Sequence, residues 1–292
     1  MRLPNWLAQH LAALRALLVA TVVLGLAYPL VMVGIGHIPG LRDRAKGSLI
    51  QDGGTTVGSR LIGQQFVDGE GNPLPVYFQS RPSAAGDGYD PTSTAASNLG
   101  PENIVDTLAT NPDDATPSLL TEVCQRSKDI ADLNGVDGRR PFCTPDGVGA
   151  VLAVFRRDGL TGPITRVVSV NQACPATPFL ARFQDVAVEC NTIGEDISQG
   201  LITPVRGDAP AEPVIPPDAV TASGSGLDPN ISPAYARLQA PRVARERNTD
   251  PDSVQRLIDR YTDGRALGFM GEPAVNVLQL NLALDRTFPT NR

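Results

Sequence analysis

The sequence predicts an α+β protein: one N-terminal transmembrane helix, then an extracytoplasmic mixed α/β domain carrying an inserted β-rich, cysteine-containing region. Three observations lead there. Residues 16–41 contain no formally charged side chain. The four cysteines, Cys124, Cys143, Cys174 and Cys190, all follow that run. The remaining apolar residues come in short stretches broken by 28 glycines and 26 prolines in a chain of 292 residues, a loop-rich texture.

The apolar run reads ALLVATVVLGLAYPLVMVGIGHIPGL. About 20 helical residues cross the hydrocarbon core, and a helix satisfies its own backbone polar groups there. Residues 16–38 are therefore the predicted span, preceded by residues 1–15. Pro29 predicts a kink. Gly25 and Gly34 are small enough for close packing against another helix, and Trp6 suits an interface. A secretory signal has a shorter apolar region and a small-x-small cleavage site; this run is longer and lacks a persuasive site. Residues 1–47 carry a balance of +4 and the remainder −10. The basic head suits a membrane surface, and the acidic remainder lacks the footprint of a nucleic-acid binder.

Basic residues lie on both sides of the span, so charge alone does not orient it. The cysteines do: none has CxxC spacing, and the two histidines, His10 and His37, flank the apolar run, which argues against zinc. Two disulfides in an oxidising compartment are the favoured reading, with three pairings open, and four free buried cysteines are the alternative. If the disulfides form, residues 43–292 lie outside the cytoplasm and 1–15 within it.

In the first outer part, 43–111, the GG and VG steps of SLIQDGGTTVGSR mark turns between brief strands. YFQSRPSAAGDGYDPTSTAASNLGP at 77–101 is turn-rich and needs hydrogen bonds to hold it, with Arg60 and Arg81 available to carboxylates. In the region 112–215, VGAVLAVF and ITRVVSV read as a hairpin around RRDGLTGP, DVAVEC reads as a further strand, and APAEPVIPP as a stiff connector. In the last part, 216–292, Ser232–Pro233 and Asp250–Pro251 are helix starts. Val254, Leu257, Ile258 and Tyr261 form one helical stripe. Leu278, Leu280, Leu282 and Leu284 alternate with other residues, which predicts a strand, with a short helix as the alternative.

Chemistry is scarce. GSGLDP at 224–229 lacks the GxxxxGK[ST] pattern of a nucleotide loop, since no lysine follows Lys128, and fails GxGxxG at Pro229. A structural turn stabilised by Asp228 is the simpler reading; an anion at the Ser232 helix start is the alternative. Ser223 and Ser225 have no histidine base in the distal sequence. Arg237, Arg242, Arg245 and Arg247 form either a solvated charged face or a surface for a partner's carboxylates.

Six blocks resemble one family: GSRLIGQQF at 58–66, YFQSRPSA at 77–84, SNLGP at 97–101, VTASGSGLDPNISP at 220–233, PRVARER at 241–247 and VNVLQLNLAL at 275–284. In this order after one span, they resemble KdpC, the C subunit of the bacterial high-affinity potassium-importing P-type ATPase. The resemblance implies a single-pass plasma-membrane protein without catalytic activity of its own. Its partners would be a channel-like potassium-binding subunit (KdpA), a P-type ATPase subunit (KdpB) and a small subunit (KdpF), in a complex using ATP, Mg2+ and K+. Stabilising assembly and tuning potassium affinity are the roles it implies. ATP binding is also ascribed to this subunit in the family, and no residue pattern here supports it independently. The chain is longer than typical members, and 112–215 reads as the insertion. The alternative is an independent membrane-anchored binding or sensor module.

Overall fold

A computed structural model describes residues 4–85, 88–92 and 99–290. The chain divides into two compact units, residues 1–61 and 62–292.

The first unit begins with helix α1 (Asn5–Ala20), a π-helical stretch (Thr21–Ala27) and α2 (Tyr28–Gly36). Together they form a continuous helix, Asn5–Gly36, long and apolar enough to cross a membrane. It starts earlier than the predicted span and takes in Arg15. The wider π turn lies directly ahead of Pro29, whose ring otherwise crowds the carbonyl four residues back, at Gly25. The position beside Gly34 is open space, and a Cβ at Gly25 meets only Thr21 of the same helix. After a short α3 (Arg42–Ala45), strands β1 (Leu49–Asp52) and β2 (Thr55–Ser59) form the expected hairpin. Gly53 and Gly54, with φ of 55° and 85°, supply its tight two-residue turn, whereas Val57–Gly58, expected as a second turn, lies inside β2, where Gly58 pairs with Ile50.

The second unit holds two sheets. The larger runs in the order β5–β6–β4–β3–β7, with β3 at Val151–Asp158, β4 at Thr161–Ala173, β5 at Arg182–Phe183, β6 at Val186–Asn191 and β7 at Leu201–Pro204. The predicted β3–β4 hairpin is antiparallel, and β6 joins β4 in parallel. Strand parity sends Val151, Ala153, Val168 and Val170 to one buried face and Leu152, Val154, Val167 and Val188 to the other. The disulfides pair Cys124 with Cys143 and Cys174 with Cys190.

The smaller sheet, β8 (Asn230–Ile231), β10 (Ala274–Asn276) and β9 (Thr262–Asp263), has β10 in its middle. Around it pack α4 (Leu119–Asn134), α5 (Pro217–Val220), α6 (Pro233–Glu246), α7 (Pro251–Arg260) and α8 (Val277–Thr287). The main core joins Phe78, Ile215, Val243, Ile258, Leu280 and Leu284, and α4 contributes Ile130 and Ala131 to it. The core therefore does not divide at 112 or 215. The 209–217 connector is held in the fold: Ile215 is fully buried and its carbonyl accepts from Arg140 at 2.6 Å.

Both predicted helix starts are present. Ser232 Oγ accepts from Tyr235 N–H at 3.0 Å, and the Asp250 carboxylate accepts from Ser253 N–H at 3.0 Å. The strand reading of 278–284 is corrected. Only 274–276 is extended; Asn276 then caps α8 by accepting from Gln279 N–H at 3.1 Å. Val277, Leu278, Leu280, Asn281, Ala283 and Leu284 are all buried. A helix enclosed on most sides loses its polar stripe, so its alternating leucines mimic strand periodicity.

Candidate functional site

The blocks singled out in the sequence converge on two adjoining constructions. The first is a loop cluster. Ser223 is buried; its N–H donates to the Pro82 carbonyl at 2.7 Å, and its own carbonyl accepts from Ala84 N–H at 2.8 Å. Its hydroxyl oxygen accepts from Gly226 N–H at 3.1 Å. Gly226 has φ 73°, and any Cβ there would collide with the Gly88 carbonyl. Ser225 accepts from Asp90 N–H at 3.2 Å and, through Oγ, from Leu227 N–H at 3.4 Å. Gly63 N–H reaches the Leu227 carbonyl at 2.8 Å, and a Cβ on Gly63 would stand 2.5 Å from the Asp228 carbonyl.

Arg81 locks this cluster. It pairs with the Asp228 carboxylate at 2.9 Å and donates to the Thr221 and Ala222 carbonyls. The other arginine flagged beside it, Arg60, is exposed and donates its backbone N–H to Ser48 at 3.0 Å within the first unit. At the start of α6, Asp218 accepts from both the N–H and the hydroxyl of Ser232, each at 2.8 Å. The chain's own carboxylate thus occupies the place an anion would take at this helix start. A pocket of about 220 Å³ opens beside the cluster, lined in part by Gln79, Arg81, Ser83, Arg126, Ile130 and Tyr235. Burial raises the Tyr235 pKa, so its phenol stays protonated.

The second construction is a polar clamp on residues 75–79. Phe78 N–H donates to Asn281 Oδ1 at 2.9 Å, and Asn281 Nδ2 donates back at 3.0 Å. Gln239 repeats the exchange with Gln79, at 2.7 and 3.1 Å. Arg242, 1% exposed, donates to Asn134 Oδ1, to the Pro75 and Tyr77 carbonyls and to Gln239 Oε1. Burial lowers its pKa to about 10, which leaves it a cation at neutral pH. Arg247, also buried, donates to the Val76 and Phe288 carbonyls and pairs with Asp285 at 2.9 Å.

The arginine tract is therefore not one charged face. Arg242 and Arg247 point into the fold, whereas Arg237 and Arg245 are exposed and sit beside Asp259 and Glu246. Sequence reasoning missed Gln239, Asn281 and Asp218. For Gln239 and Asn281 the available signal was a polar residue set among helical apolar ones; Asp218 carried none. Ser97 and Asn98 of the SNLGP block lie outside the described residues.

The family model described as "KdpC: K+-transporting ATPase, c chain" matches residues 10–133 and 191–286. The chain belongs to the KdpC family. Its relatives include potassium-transporting ATPase KdpC subunits from Mycobacterium tuberculosis, 36% identical over 278 residues (95% of this chain, 98% of the relative), and Kineococcus radiotolerans, 38% identical over 287 residues (98% of each). A third, from Beijerinckia indica, is 36% identical over 285 residues and covers 97% of each chain. The KdpC family model leaves residues 134–190 unmatched, but these relatives align across nearly the whole chain. That segment holds β3 to β5, most of β6 and three of the four cysteines. Among the described residues, no three His, Cys, Asp or Glu side chains gather as a metal site.

Proposed function

We propose that this chain is a membrane-anchored, non-catalytic accessory subunit of an ATP-driven potassium-import complex. The complex would comprise a channel-like potassium-binding subunit (KdpA), a P-type ATPase subunit (KdpB) and a small subunit (KdpF), and would use ATP, Mg2+ and K+. The chain contributes assembly and tuning of potassium affinity. Its N-terminus is cytoplasmic, and the domain carrying both disulfides is extracytoplasmic.

One observation carries this reading beyond family membership. The polar groups of 220–233 are engaged inside the chain: Ser223 with Pro82 and Gly226, Asp228 with Arg81, and Ser232 with Asp218. Such a block braces a fold and leaves function to exposed surfaces and the anchor. Gly25 and Gly34, with room beside them, suit packing against a partner's membrane helix. Detergent extraction of the full complex, with and without this chain, followed by potassium-stimulated ATPase assay tests the reading. A complex indifferent to the chain would point to an independent binding or sensor module.

A further inference from the structure

The chain that follows α4 builds a second cavity, of about 340 Å³. At the end of α4, Gly135 takes φ 68° and turns the chain out of the helix. The Cys124–Cys143 bridge ties the following loop back to α4, and Ser127 Oγ donates to the Gly138 carbonyl at 3.0 Å. Residues 207–209 supply a further wall, next to Arg206, whose carbonyl accepts from Phe142 N–H at 3.2 Å. Ala131, Val136, Pro145, Ala209 and the disulfide form the apolar part of the lining. The charged groups around it are unequally matched. Lys128 pairs with Asp132 at 2.6 Å, and Arg139 with Asp137 at 2.8 Å and Asp208 at 3.6 Å. Arg140, partly buried, pairs with no carboxylate among the described residues. Its Nη2 donates to the Ile215 carbonyl at 2.6 Å, whereas Nη1 has no acceptor among the described residues and Nε is enclosed without one. Burial lowers the Arg140 pKa and no acid offsets the effect, yet an arginine stays charged. Such a cation is costly unless an anion accepts from it.

Size, lining and charge together define the ligand. An apolar cavity of about 150 Å³ holds benzene, so this one accommodates a single ring with its substituents. A carboxylate accepts a charge-assisted hydrogen bond from a guanidinium. Asp132, Asp137 and Asp208 line the same cavity and repel a second negative charge. We infer that this cavity binds a small monocarboxylate with an apolar body, its carboxylate held by Arg140. Arg139, Arg140, Cys143, Thr144 and Pro145 all fall in the segment that the KdpC family model leaves unmatched, so the site is an addition to the family's common pattern.

The test photolabels the full chain, held in lipid nanodiscs, with 4-azidobenzoate and maps the modified peptides. The expected result is saturable labelling within 124–145 or 206–209, protected by benzoate at roughly 1 mM but not by benzyl alcohol or sulfate at the same concentration. Arg140→Gln is expected to weaken labelling roughly tenfold or more. Arg237→Gln, on the exposed side of α6 beside Asp259, is expected to leave it within about twofold. Labelling elsewhere, equal protection by benzyl alcohol or sulfate, or undiminished labelling of a folded Arg140→Gln chain overturns the inference. If Arg140→Gln melts below the assay temperature, the labelled peptides and the protection pattern of the unaltered chain decide alone.

Discussion

Replacing Arg242 with methionine tests the clamp most sharply. Methionine keeps much of the volume and removes every donor. Gln239 Oε1 retains Gln79 N–H, but the Pro75 carbonyl and Asn134 Oδ1 lose the bond from Arg242, and Tyr77 O keeps only a 3.4 Å contact from Gln79. Each buried acceptor left without a donor costs about 1–3 kcal/mol. The burial that lowers the Arg242 pKa is itself a cost, and the substitution relieves it. The net expectation is destabilisation of about 2–4 kcal/mol, or roughly 5–15 °C in melting temperature for a unit of this size. Arg245→Met is the control: its side chain is 64% exposed beside Glu246 at 3.1 Å, and such a pair contributes less than about 1 kcal/mol. Thermal melts of both variants in detergent decide the matter. An Arg242→Met chain melting within a degree or two of Arg245→Met would refute the reasoning. Charge reversal at Arg242 is accordingly expected to unfold the domain, and cannot report on a partner's surface.

Two further outcomes are expected. Non-reducing peptide mapping will recover Cys124–Cys143 and Cys174–Cys190, and removing either bridge, with sequence separations of 19 and 16, will cost about 3 kcal/mol by denaturant unfolding; crossed pairings would contradict the topology. Arg166 bonds Glu195 and Glu189, and its hydrogen bond to Glu195 holds the Glu195 pKa below the usual carboxylate range. A depressed folded-state pKa gives stability that is present above the unfolded value and lost as pH falls through the folded one, so the loss begins below about pH 5. Glu195→Gln will flatten acid denaturation there; an unchanged pH profile would argue against the pairing.

What was legible in the sequence was local. Ser232–Pro233, Asp250–Pro251, the Gly53–Gly54 turn and the Val254–Leu257–Ile258 stripe each rest on neighbours a few residues apart, and each forms as read. The uncharged run was equally plain, because hydrocarbon imposes a length and a composition. What failed depended on distant partners. Nothing in PRVARER distinguishes Arg242 and Arg247 from Arg245, because their acceptors at 75–77 lie more than 160 residues away. The alternation in 278–284 misled for a related reason: enclosure by α7 and residues 77–78 removes the polar face that marks a helix. Asp218 at the α6 start was invisible because it caps from 14 residues upstream.

Potassium-stimulated ATP hydrolysis by the purified complex, assembled with and without this chain, tests the central claim most directly. Hydrolysis at low potassium is expected to collapse without the chain and to return when the full-length protein is restored. Equal hydrolysis and equal potassium dependence in both preparations would contradict an accessory role.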